Sequence, residues 1–170
     1  MTTDGLRRAT LLVPLLFCGA MFGFFFAWQW STVIGLNRIE PAVAIRAMQA
    51  MNASVRNMAF GTAFFGTPVI LAGFAVIMAL LGERARAAVL GLALLVHLGG
   101  VIAVTATINV PLNQILALVD PLVDPASAAQ AWADYAGAWL SGNLLRTLAS
   151  GLSLALVGLA LLLPERKSPR

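Results

Sequence analysis

The chain has 170 residues, 60% of them hydrophobic and 11% charged, with a formal net charge of +4; its mean hydropathy is +0.89 and its pI is near 10.6. A soluble domain could not bury that much apolar surface, and the length suits a single domain over residues 1–170. The basic residues flank apolar runs instead of gathering on one polar face, which argues against nucleic acid as a partner and leaves the lipid bilayer.

Apolar runs at 11–30, 60–81, 87–108 and 144–163 are each about the ~20 residues that cross a hydrocarbon core. The expected fold is all-α, a four-helix transmembrane bundle. Arg7 and Arg8 ahead of the first run resemble the charged start of a signal peptide, but no small-x-small cleavage site follows, so the run is read as a retained anchor. Cys18, the only cysteine, reads as a small packing residue, and Phe17 before it does not suit a lipoprotein signal. Gly19 and Gly23 form a small-xxx-small pair that could seat another helix, in this bundle or in a homo-oligomer.

In the first long connection, Ile45, Met48, Met51, Val55 and Met58 recur at helical spacing, with Arg46, Gln49, Asn52 and Arg56 on other faces. This predicts an amphipathic helix, lying on the membrane interface or packed on the bundle. Only residues 82–86 join the second and third runs, which must therefore be antiparallel neighbours. In the last connection Pro111, Pro121 and Pro125 are expected to break helices, and Ser127 to cap a further amphipathic helix that enters the membrane near Ser141. Arg7, Arg8, Arg84, Arg86, Arg166, Lys167 and Arg170 outweigh Arg38, Arg46 and Arg56, so the positive-inside rule puts both termini in the cytoplasm of a multi-pass cell-membrane protein. Trp28, Trp30, Trp132, Tyr135 and Trp139 then fall outside, as an aromatic belt would.

The last helix carries the polar residues. At about 100° per residue, Trp132, Trp139, Asn143, Arg146, Ser150 and Ser153 share an arc of roughly 80°, a stripe that should face protein. An intramembrane Arg is a functional candidate by default, although near the end of a span it can snorkel to the headgroups. Thr105 and Asn109 lie on one side of the third helix, with His97, the only histidine, near its middle. His97 is either a general base or a neutral core residue bonded to a hydroxyl such as Ser150 or Ser153. No span contains a carboxylate, so a metal site is not expected. His97 could ligate haem, but no second axial histidine or attachment motif accompanies it, and the expectation is no cofactor.

Gly23-Phe24-Phe25-Phe26 running to Gly35-Leu36, then Ala47-Met48-Gln49-Ala50-Met51-Asn52, then Asn109-Val110-Pro111-Leu112-Asn113 occur in an order that, with His97, Trp139, Asn143, Arg146 and Thr147, resembles the anthrone-oxygenase-like family of small four-helix membrane proteins. Val33-Ile34 stands where that family commonly has Met-Pro, and Met58 follows Asn57 where it often has proline. The resemblance implies oxidation of a lipophilic polycyclic anthrone or phenol by O2 without metal or flavin. His97, Arg146, Asn109 and Asn143 would be the catalytic set, with Trp132, Trp139, Thr105, Asn113, Gln49 and Asn52 around the substrate. The alternative is a non-enzymatic membrane protein that binds a lipophilic ligand or a partner subunit with the same stripe.

Overall fold

The computed structural model describes residues 9–120 and 124–164. Arg7, Arg8, Arg166, Lys167, Arg170 and Pro121, on which part of the topology argument rests, lie outside the described residues. The described residues form helices and no strand: α1 (Leu12–Leu36), α2 (Pro41–Ser54), α3 (Met58–Leu80), α4 (Arg84–Ala117) and α5 (Pro125–Leu162). All but α2 are long and apolar enough to cross a membrane, which makes this a multi-pass membrane protein.

The spans run longer than the apolar runs that announce them. At 1.5 Å per residue, the 38 residues of α5 extend ~57 Å against a hydrocarbon core of ~30 Å. The excess projects from the end of the bundle away from the termini, called here the distal end. There α2 packs across α4 and α5, and Ala44, Ile45 and Met48 join Leu116, Trp132, Tyr135 and Trp139 in a core of their own. The amphipathic segment of the first connection is therefore packed on the bundle. Trp132, Tyr135 and Trp139 are buried there, whereas Trp30 is 56% exposed, so most of these aromatics serve the packing of this end.

Two further layers lie nearer the termini. Met21, Phe25, Phe64 and Val101 form the middle one; Cys18, Leu71, Met78, Leu90 and Val157 fill the one below. Gly19 lies 3.9 Å from Leu154 when given a Cβ and Gly23 meets nothing, so this pair does not seat a helix closely within the chain. The turn between α3 and α4 is closed by Gly82 at φ +79, a left-handed conformation that favours glycine.

Helix ends depart from expectation in two places. The cap of α5 is Asp124, not Ser127: its carboxylate accepts from the Ser127 hydroxyl at 2.8 Å and the Ser127 N–H at 2.9 Å. Those bonds, the hydroxyl first, hold the Asp124 carboxyl below the usual carboxylate range, and Pro125 at the first helical position lacks an N–H that would be unpaired anyway. Pro111 does not end α4, which continues to Ala117. The turns before it, Leu98–Ala103 and Thr105–Asn109, are π-helical, and their wider winding makes room for the proline ring. At the start of α3, Asn57 accepts from the Phe60 N–H at 2.9 Å; this cap makes a proline at position 58 unnecessary.

Candidate functional site

The local irregularities of α1 and α4 both pack against α5. In α1 the segment Trp28–Thr32 is also π-helical, and π turns are a common device for aiming side chains at a site. Gln29, within that segment, and the Phe25 carbonyl just before it both accept hydrogen bonds from the Asn143 amide, at 2.9 and 3.0 Å. On α4, the Asn109 amide donates to the Trp139 carbonyl at 3.1 Å. Its oxygen lies so close to Gly142 that a Cβ there would stand 2.7 Å away. Gly142 is what lets α4 approach α5 at this level.

Arg146 sits at the centre. It is 6% exposed and lies 16 residues from Leu162, ~24 Å along the axis, which puts it just inside the distal edge of a ~30 Å core. Its Nη2 donates to Asn143 Oδ1 at 2.9 Å and its Nη1 approaches Thr105 Oγ1 at 3.4 Å. The guanidinium carbon lies 4.7 Å from the Phe25 ring centroid and 5.0 Å from that of Trp139, an aromatic sandwich that suits a delocalised cation. No carboxylate of the described residues pairs with it, and its Nε has no hydrogen-bond partner. A buried cation without a counter-ion is costly, so the arrangement is prepared for an anionic or strongly accepting group.

That group has a place to come. A half-open cavity of about 590 Å³ reaches Arg146, within the size range of small-molecule sites. Thr105, Asn109, Trp139 and Arg146 line its floor, and Phe24, Trp28, Phe60 and Phe64 one wall. Phe24 and Phe60 lie 4.9 Å apart, and Trp28 and Trp139 lie 5.5 Å apart. Asn52, Val55, Arg56, Asn57, Asn113 and Gln114 form the distal rim. The rim amides are held by Tyr135, whose hydroxyl donates to Asn113 Oδ1 at 2.8 Å and accepts from Asn52 at 3.5 Å.

Of the residues expected from sequence, Arg146, Asn109, Thr105, Trp139, Asn113 and Asn52 meet on this cavity. Asn143 lies behind it and orients Arg146. Trp132 and Gln49 are elsewhere. Trp132 donates to Asn37 Oδ1 at 3.0 Å, and Gln49 caps the end of α4 through the Leu116 and Val119 carbonyls at 2.8 and 2.9 Å. His97 is fully buried, is not on the cavity wall, and neither ring nitrogen has a hydrogen-bond partner. Ser150 and Ser153 do not bond it: their hydroxyls donate to backbone carbonyls, Ser150 to Arg146 and Thr147, Ser153 to Ala93 and Ala149. Sequence reasoning missed Gln29, whose signal was an amide inside an apolar run, and the phenylalanine wall, which has none because such residues read as core or lipid-facing.

A family model described as anthrone oxygenase matches residues 55–156. No curated protein and no solved structure matches the chain. The matched stretch takes in α3, α4, the cavity floor and most of α5, well over half of the chain. The chain belongs to the anthrone oxygenase family.

Proposed function

We propose that this protein binds a flat, lipophilic polycyclic phenol or anthrone in the cavity and oxidises it with O2, with no resident metal or flavin. The observation that carries the reading is Arg146: a buried guanidinium that no carboxylate of the described residues pairs with, framed by two aromatic faces at the floor of a cavity with a phenylalanine wall. An anthrone becomes reactive toward O2 when its methylene loses a proton and the ring oxygen becomes an enolate. Preorganised donors at that oxygen are the strongest lever for such chemistry. Arg146 takes this role, with Asn143 fixing its head group and Asn109 and Thr105 beside it.

The enolate carbon then gives an electron to O2, the two radicals combine, and the hydroperoxide collapses. One oxygen atom becomes the new carbonyl and the other leaves as water with the two methylene hydrogens. The cavity is half-open at the distal rim, and the departing proton leaves to water there. This reading does not route the proton through His97, which is off the wall. By the positive-inside argument, the distal end is the outer side of a cell membrane.

A second reading is a non-enzymatic binding or accessory protein, and one observation favours it: among the described residues, the cavity wall carries neither imidazole nor carboxylate to act as base. Purified protein in nanodiscs, given 1,8-dihydroxyanthrone under O2, separates the two. Oxygenase activity predicts protein-dependent anthrone loss matched by quinone formation, falling by about 10²–10³ in Arg146→Ala. Binding without turnover leaves the accessory role, and loss of turnover with intact binding in His97→Ala would restore the imidazole as base.

A further inference from the structure

We propose that the cavity is filled sideways: its ligand enters from the bilayer, through a window between α3 and α4 in the distal leaflet, and Gly61 sets the width of ring that passes. The inference rests on the reading that a lipophilic ring occupies the cavity, and it names how the ring is delivered and what limits its shape.

The window follows from the π-helical half of α4. α3 packs closely along Arg84–His97, whereas the following turns, from Leu98 to Asn109, turn their contacts to α5. The two helices thus part company toward the distal end. In the gap stand Phe65, 66% exposed, and Val110, 39% exposed, both of which also line the cavity. Side chains that touch the cavity on one side and the surroundings on the other are the jambs of an opening. Because they are apolar and lie on spanning helices, the medium they face is lipid.

Gly61 is the threshold. A Cβ built there meets nothing within 4 Å, so no packing neighbour demands a glycine, and glycine inside a helix is unfavourable. Its missing side chain leaves open space where the cavity meets the exterior. A shallow depression runs from it along the outer face of α3, past Thr62 and Phe65 to Val69, and shares Gly61 and Phe65 with the cavity. A ring dissolved in the leaflet can therefore approach along an apolar track with its plane parallel to the helices. Its polar edge then meets Arg146. The ligand class is a bilayer-partitioned, flat fused-ring phenol or ketone that carries no bulky substituent on the edge that enters first.

The competing route is aqueous, over the distal rim at Val55 and Arg56. Stopped-flow quenching of tryptophan fluorescence by 1,8-dihydroxyanthraquinone, with the protein in nanodiscs, tests the two. Gly61→Leu is expected to slow association about tenfold or more, Gly61→Ala by less than about threefold, and Val55→Trp hardly at all, within the one to three decades over which mutants shift association rates. Phe65→Ala is expected to speed association, a change of sign that misfolding cannot imitate. Rates should follow the mole fraction of probe in lipid, so added empty liposomes should dilute them. The proposal is overturned if Val55→Trp slows association while Gly61→Leu does not, or if rates follow free aqueous probe at constant mole fraction. The probe is already oxidised, so binding without oxygen-dependent turnover removes the oxidation and leaves the window. A wild-type protein that does not bind the probe removes the ring site and the window together.

Discussion

Asn143 is buried completely, yet both ends of its amide are engaged: the nitrogen donates to α1 and the oxygen accepts from Arg146. Its neutrality is as important as its shape. Asn143→Asp would set a carboxylate at the 2.9 Å position now held by the amide oxygen, giving Arg146 a permanent counter-ion in a low-dielectric site. The helix and the packing should survive, while affinity for an anionic hydroxyanthraquinone falls by about tenfold or more. A fluorescence-quenching titration reads this directly, and unchanged affinity would remove charge from the account of the site. The stripe from Trp132 to Ser153 was legible from helical periodicity, because burial on a single long helix depends only on angle. That Asn109 and Arg146 share a cavity while His97 does not was illegible, because it depends on which turns of α4 wind as π-helix.

At the scale of elements, the contact between α4 and α5 relies on residues without side chains. A Cβ at Gly100 would collide with the Cβ of Ala149, whereas one at Gly99 would meet nothing within 4 Å. Gly100→Ala should therefore cost about 1–3 kcal/mol through overpacking, and Gly99→Ala should be neutral or slightly stabilising through helix propensity. Thermal unfolding in detergent compares them, and equal midpoints would mean that the two helices are not held at this separation. Both glycines look alike in a sequence of this composition. Only the partner helix distinguishes them.

Across the whole molecule, the two ends of the bundle are tied differently. The distal end is closed by α2, by the cap that Gln49 places on α4 and by the aromatic core around Trp132. At the other end Arg86, 1% exposed, donates to the Leu163 carbonyl at 2.8 Å and lies 3.6 Å from Glu83, so one cation joins the α3–α4 turn to the end of α5. Charge counting treats Arg86 as a mark of topology; burial makes it a fastener as well. Arg86→Met should destabilise the bundle by about 1.5–3 kcal/mol, the range for hydrogen bonds to charged groups, with partial recovery in Arg86→Lys. A shift in the midpoint of chemical unfolding would measure it, and no shift would leave Arg86 with the topological role alone.

The sequence by itself determined the four apolar spans, the antiparallel pairing of the second and third, the inward face of the last helix and the family resemblance. Each follows from length, short-link geometry or periodicity, which are properties of one segment at a time. Tertiary structure alone decided that α4 runs on through Pro111, that Trp132 and Gln49 lie off the cavity while Arg146, Asn109 and Thr105 line it, and that phenylalanines of α1 and α3 form one of its walls. Those outcomes depend on where two helices touch and where they part, and the local pattern of either helix does not contain that information.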